Sequence, residues 1–432
     1  METEVGSMPV WLKRAIAIAG LLMVLFGILV MLVSCLLLLI ALADGYADDV
    51  GAGIAGFVTI AICIGVGGIA LLHAGNSLQG KSSAPLRLPP VLALVGCFGL
   101  FLVLGFAVSH GDFAPAVFFP PILLIVATLP PLWAVAWFAG QDSESGGLTR
   151  RRGLVAFAGG TTGSLLIALI LEILLPIIIM ALVHNLADNL ANNMRTLLTA
   201  LAGQQVASAV ANPGFIYVFV QIAIIAPLAE ELSKPLITLP VIGRLKRRDA
   251  FLVGAMAGAG FAAIENILYA SFGFEFWAGI LVVRALGSAV HPLGAGLVAL
   301  GWHDVLRGKA HAWSNWLKRF GIAAGIHALW NGGSLLIVTL LGAQLFGAPP
   351  PEIDVLGLSA AGTMLALLLI LGLAALWIGR ATVENVDRLI PSEPKPADLQ
   401  FILSDRTIAI WALACLVTIV PVGVAGLRLL LR

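Results

Sequence analysis

Eleven stretches of this chain are apolar almost throughout, each near the ~20 residues a helix needs to cross the hydrocarbon of a bilayer. They run at about 15–43, 52–73, 90–109, 115–139, 154–183, 214–240, 250–272, 277–301, 319–341, 355–379 and 407–428. Inside a bilayer every backbone polar group must be satisfied within the segment itself, so such runs fold as helices. The fold class expected is therefore an all-α polytopic membrane protein with about eleven transmembrane helices. Composition agrees: 60% of residues are hydrophobic and 11% charged, against roughly 25% charged in a soluble domain. A net charge of +1, with no basic cluster interleaved with aromatics, argues against a nucleic-acid partner. Cys35, Cys63, Cys97 and Cys415 all fall in apolar runs and read as small buried hydrophobes rather than a disulfide framework or zinc knuckle.

The connecting loops alternate in charge. Lys81 and Arg87, Arg150 to Arg152, Arg244 to Arg248, Arg307 to Arg319 and Arg380 to Lys395 follow the even-numbered spans, while acidic residues dominate the loops between. By the positive-inside rule this predicts a multi-pass protein of the plasma membrane with a cytoplasmic N-terminus and an external C-terminus. Lys13 and Arg14 precede the first span, and no small-residue cleavage site follows, so that span reads as a retained anchor. Four regions result. Residues 1–183 carry spans one to five, and 184–213 form an external loop with apolar residues at helical spacing, suggesting an amphipathic helix. Residues 214–341 carry spans six to nine. Residues 342–432 carry the last two spans and a cytoplasmic linker at 380–406, where Pro391, Pro394 and Pro396 exclude a continuous helix.

Ionisable residues within membrane spans are costly and mark function or a water-filled interior. Only Glu172, Glu230, Glu231, Lys234, Glu265, Arg284, His291 and His327 lie deep in predicted spans, and all but Glu172 fall on spans six to nine. Glu172 has no partner motif and reads as structural or interfacial. Glu230 and Glu231 stand four and three residues before Lys234, so the ammonium shares their helix face, between Pro227 and Pro235, which should kink the helix. Phe261 and Glu265 are spaced i, i+4 with Asn266 next; Arg284 and His291 are two turns apart; His327 and Asn331 are again i, i+4, with Trp330 between them. At about 1.5 Å per residue, Glu230, His291 and His327 sit roughly 12–15 Å from the cytoplasmic span ends, Glu265 about 22 Å and Arg284 about 25 Å. The depths allow one shared site, with Arg284 bracing a carboxylate.

Glu230-Glu231-Leu232-Ser233-Lys234, Phe261 to Glu265-Asn266, Arg284 with His291, and His327 to Asn331 together resemble the PrsW family of intramembrane proteases. That family lies within the superfamily that includes CAAX prenyl proteases and bacteriocin-processing enzymes. The CAAX-type enzymes carry an arginine where Pro235 stands and a histidine where Glu265 stands, so the departure favours the PrsW branch. The resemblance implies an intramembrane endopeptidase with a four-helix catalytic core. In it Glu230 would activate water and Glu231 would support it. His327 and Asn331 would stabilise a tetrahedral oxyanion, and His291 with Glu265 would hold the water or a metal. Lys234, Arg284 and Asn266 are supporting residues.

The chemistry needs a base or metal for water and donors for the developing oxyanion. The favoured reading is a glutamate-type mechanism that requires no cofactor. A divalent metal, zinc, is the alternative, with Glu231, Glu265, His291 and His327 as candidate ligands. The partners expected are the lipid bilayer and a membrane-anchored protein substrate, an anti-sigma factor being one such class in the family. A proton- or ion-coupled transporter is the competing function, because intramembrane Glu and His on proline-broken helices also mark ion pathways.

Overall fold

The computed structural model describes residues 10–44, 50–79, 81, 83–111, 114–140, 148–182, 213–243, 245–340 and 355–386. Helices α1 (Val10–Asp44), α2 (Val50–Leu78), α3 (Val91–Ser109) and α4 (Pro115–Ala139) come first. α5 (Arg150–Gly159) runs through a π turn (Gly160–Ser164) into α6 (Leu165–Leu182). α7 (Pro213–Val220) runs through a second π turn (Gln221–Ile225) into α8 (Ala226–Ser233), and a 3-10 turn (Leu236–Thr238) leads to α9 (Leu239–Ile242). α10 (Arg247–Phe272), α11 (Trp277–Leu286), α12 (Val290–Leu306), α13 (Ala312–Leu340) and α14 (Val355–Asn385) complete the bundle. Among the described residues there is no strand, only one antiparallel bridge between Pro85 and Thr149.

Eight of these stretches are long and apolar enough to cross a membrane, and the bent pair of α11 and α12 makes a ninth among the described residues. The protein is an all-helical polytopic membrane protein. Two of the eleven expected spans differ. The sixth, expected as one helix over 214–240, is a series of short pieces. Pro227 has no N–H to give the carbonyl of Ala223, and the chain passes that point in a π turn; Pro235 then closes α8. The eighth, expected as one helix over 277–301, is bent by 40° between α11 and α12. The Trp330 ring packs on Gly287 at that break, and Trp133 Nε1 donates to Ser288 Oγ at 2.8 Å. The expected eleventh span, the amphipathic stretch up to residue 212 and the linker from residue 387 lie outside the described residues.

α10 is the axis of the bundle. Its span is 89% buried, against 22% for α1 and 17% for α3. The run Gly254 to Gly260 explains this, because small residues let backbones approach on every side. A methyl group on Gly258 would strike the His291 carbonyl of α12, and one on Gly260 the Phe157 carbonyl of α5. The outer helices instead turn large apolar side chains outwards, including Leu92, Val103 and Trp377. Of the cysteines expected to be buried, Cys63 is, whereas Cys35 and Cys97 are exposed on those outer faces; apolar surface facing lipid has no need to be covered.

Candidate active site

The π turn at 221–225 and Pro235 set off α8 as a two-turn element whose polar face is turned wholly inwards. Glu230, Glu231 and Lys234 are all buried, Glu231 and Lys234 completely. Lys234 Nζ lies 2.6 Å from Glu231 Oε1, 3.1 Å from Glu230 Oε2 and 2.7 Å from His291 Nδ1. The ring of Phe261 lies 4.7 Å from the ammonium and stacks on His291.

Four other helices complete the cluster. His291, near the start of α12, reaches Glu265 Oε2 of α10 with Nε2 at 2.9 Å. Arg284 of α11 donates to the same Glu265 oxygen at 2.8 Å, and its Nε donates to Asn266 Oδ1. Asn266 in turn donates to the Ala127 carbonyl of α4 at 2.8 Å. His327 of α13 reaches Glu231 Oε1 with Nδ1 at 3.0 Å. The bend between α11 and α12 brings Arg284 Nη2 to 3.4 Å from His291 Nε2, a proximity that depth counted along one straight helix did not give.

This network assigns the tautomers. A carboxylate only accepts, so His327 carries its proton on Nδ1 and donates to Glu231. Lys234 donates to His291 Nδ1, so His291 carries its proton on Nε2 and donates to Glu265. Each histidine is thus held by its own carboxylate on one ring nitrogen. The other ring nitrogens, His291 Nδ1, whose lone pair accepts from Lys234, and His327 Nε2, stand 3.8 and 3.7 Å from the same oxygen, Glu230 Oε2. His327 Nε2 and Glu230 Oε2 are buried without a hydrogen-bond partner. Two electron-rich atoms facing each other across this gap favour a cation between them. The formal charges agree: among the described residues, the three carboxylates Glu230, Glu231 and Glu265 pair with two fixed cations, Lys234 and Arg284.

The other expected site residue sits on the wall of the cluster. Asn331 donates through Nδ2 to the Ile222 carbonyl at 3.1 Å, within the π turn. Two contributors were not singled out from the sequence. Ser164, at the end of the first π turn, donates through Oγ to the Lys234 carbonyl at 2.9 Å. The signal for it was the polar run Thr161 to Ser164 inside an otherwise apolar span. Glu172, set apart on sequence grounds as structural or interfacial, is half-buried on α6 and within electrostatic reach of Glu230, Glu265 and Lys234.

A family model described as PrsW family intramembrane metalloprotease matches residues 154–371, half of the chain. The chain belongs to the PrsW family. No curated protein and no solved structure matches it. The match begins in α5 and ends in α14, so it takes in every helix that carries the buried cluster, and α6 with Glu172 besides. PrsW membership makes the protein a peptidase of the membrane with a protein substrate, and it does not favour the transporter reading.

The PrsW description names a metalloprotease, and the residues present suit a metal. One donor atom each from Glu230, His291 and His327 lie within 4.8 Å of one another, all buried. The donor set, two imidazoles and a carboxylate, is one that catalytic zinc uses with a position left open. The carboxylate that converges with the histidines is Glu230. Glu231 and Glu265, named as candidate ligands from the sequence, face the opposite ring nitrogens; Glu231 does so because it points about 100° away from the adjacent Glu230 on the same helix, Glu265 because it approaches His291 from α10.

Proposed function

We propose that this protein is an intramembrane endopeptidase for membrane-anchored proteins, in which Glu230, His291 and His327 hold a divalent cation at the point of hydrolysis. The observation that carries the reading is the convergence of one donor atom each from Glu230, His291 and His327 within 4.8 Å; a cation held there would take the place of the Lys234 ammonium on His291 Nδ1. A bound divalent metal would supply Lewis acidity, polarising the scissile carbonyl and lowering the pKa of bound water. The chain's own groups do the rest. Glu231 and Glu265 accept from the far ring nitrogens, fixing the tautomer and orientation of both histidines, as second partners of metal-binding histidines commonly do. Lys234 neutralises Glu231 and Arg284 neutralises Glu265, so both carboxylates stay ionised in a buried setting. Asn331 holds the π turn through Ile222 and keeps a second amide hydrogen for the oxyanion side.

A second reading rests on Lys234. Its ammonium already stands 2.7 Å from His291 Nδ1 and 3.1 Å from Glu230 Oε2, so the fixed cation of the site can be this lysine, with Glu230 itself taking the proton from water. One experiment separates the two. Purified protein is assayed for metal content and for cleavage of a membrane-anchored substrate, before and after chelation. Stoichiometric metal, activity lost on chelation and restored by zinc, support the first reading. Full activity in metal-free protein sinks it and leaves Glu230 as a base. Activity retained by Glu230→Gln would sink both.

A further inference from the structure

Well away from the buried cluster, where α4 and α14 end and α5 and α10 begin, the bundle contains a cavity of about 770 Å³. Three guanidinium groups line it: Arg87 from the connector before α3, Arg248 from the first turn of α10, and Arg380 from the last turns of α14. The only carboxylate among its described lining residues is Asp249, which interacts with Arg152 behind it. The arginines are positioned rather than loose. The connector bearing Arg87 is pinned to the start of α5 by Leu86 N donating to the Leu148 carbonyl and Arg150 N to the Ala84 carbonyl, both at 2.8 Å. Arg248 donates to the Ala139 carbonyl at 3.1 Å, and Arg380 pairs with Glu384 at 2.5 Å while packing over Gly140.

The lip of the cavity is apolar and open. Leu92 is 85% exposed and Trp137 47% exposed, and both line the same space as the arginines. A basic interior beside an apolar, outward-facing lip suits an amphiphile better than a free anion. Arginine forks match phosphate oxygens, and basic pockets between transmembrane helices at the positively charged face take anionic headgroups.

We propose that this cavity binds the phosphate headgroup of an anionic phospholipid, with the acyl chains leaving over Leu92 and Trp137. The shared chemistry is a phosphate anion, and the test separates lipid from free phosphate. Full-length protein in detergent is offered phosphatidylglycerol or phosphatidylcholine, and retained lipid is counted by native mass spectrometry. The intact chain should hold phosphatidylglycerol in preference, and Arg87→Gln with Arg248→Gln should reduce that retention about tenfold or more. Arg87→Gln alone, at an exposed position that folding does not depend on, should give a partial loss. Lys246→Gln with Arg307→Gln, exposed basic residues of the same end outside the cavity, should change nothing. Unchanged retention in the cavity variants, or an equal loss in the outside pair, overturns the proposal. If millimolar inorganic phosphate displaces the lipid, the site reads phosphate itself; if it does not, the acyl lip contributes. Either outcome upholds an anion site.

Discussion

Two ionic networks share three helices, α10, α12 and α13, and they are built in opposite ways. At the basic end, Asp304 is one carboxylate among several cations. Its Oδ1 meets Arg247 at 2.5 Å and Lys309 at 3.5 Å, its Oδ2 meets Arg319 at 2.7 Å, and His303 lies beside it. Both oxygens are satisfied, and the group ties the start of α10 and of α13 to the end of α12. Mid-bundle, three carboxylates share two cations, and Glu230 Oε2, Glu231 Oε2 and His327 Nε2 remain without hydrogen-bond partners. Burial alone does not separate a staple from a site. The difference lies in the carboxylate oxygens: both of Asp304 accept from arginines, whereas Oε2 of Glu230 and Oε2 of Glu231 have no hydrogen-bond partner.

The sharpest way to break this contrast is to neutralise one carboxylate in each network. Glu230→Gln should lower turnover of a co-expressed substrate by about a thousandfold or more, leaving protein amount and thermal stability close to normal. Asp304→Asn should do the reverse, costing about 1–3 kcal/mol of stability because it removes the buried charge that the half-buried Arg247 and Arg319 pair with, with turnover per folded molecule largely kept. Thermal unfolding in detergent, measured beside activity, decides it. Turnover lost in Asp304→Asn at unchanged stability would place that network in the reaction.

Next in size is Glu265→Gln, which leaves the three converging donor atoms in place and replaces the carboxylate that His291 Nε2 donates to with a neutral, weaker amide acceptor. Weakening such an outer partner typically costs 10–100-fold in metal affinity, so titration of the variant with zinc should show a drop of about that size. Unchanged zinc affinity would mean that Glu265 only balances Arg284.

The sequence made these networks visible to different degrees. Glu230, Glu231, Lys234, Glu265, His291 and His327 stood out because charge is rare in apolar spans, and their spacing along single helices assigned them to faces. Which ring nitrogen each of the two adjacent glutamates faces was not legible, since it depends on how α8 is rotated after the π turn at 221–225. The depths allowed one shared site, and the direct contacts within it came from the fold. Glu265 was placed about 22 Å in and His291 12–15 Å, yet the bend at 287–289 and the approach of α10 and α12 at Gly258 bring them to 2.9 Å. Breaks in helices are set by tertiary partners such as Trp133 on Ser288, which local sequence does not announce.

The smallest effect tests where the mid-bundle network ends. Ser164 touches no ionisable side chain; its Oγ holds the Lys234 carbonyl at 2.9 Å. That carbonyl has lost its helical donor, because the N–H of Thr238 turns instead to the Pro235 carbonyl in the 3-10 turn. Ser164→Ala therefore leaves one buried carbonyl unsatisfied and should cost about 1–3 kcal/mol of stability. It should change neither zinc content nor turnover per folded molecule, since Nζ of Lys234 stays clamped by Glu231 and His291. If turnover instead fell more than stability did, the backbone at Lys234 would be setting the position of the ammonium. The boundary between staple and site would then run through the π turn of α5 and α6 rather than along α8.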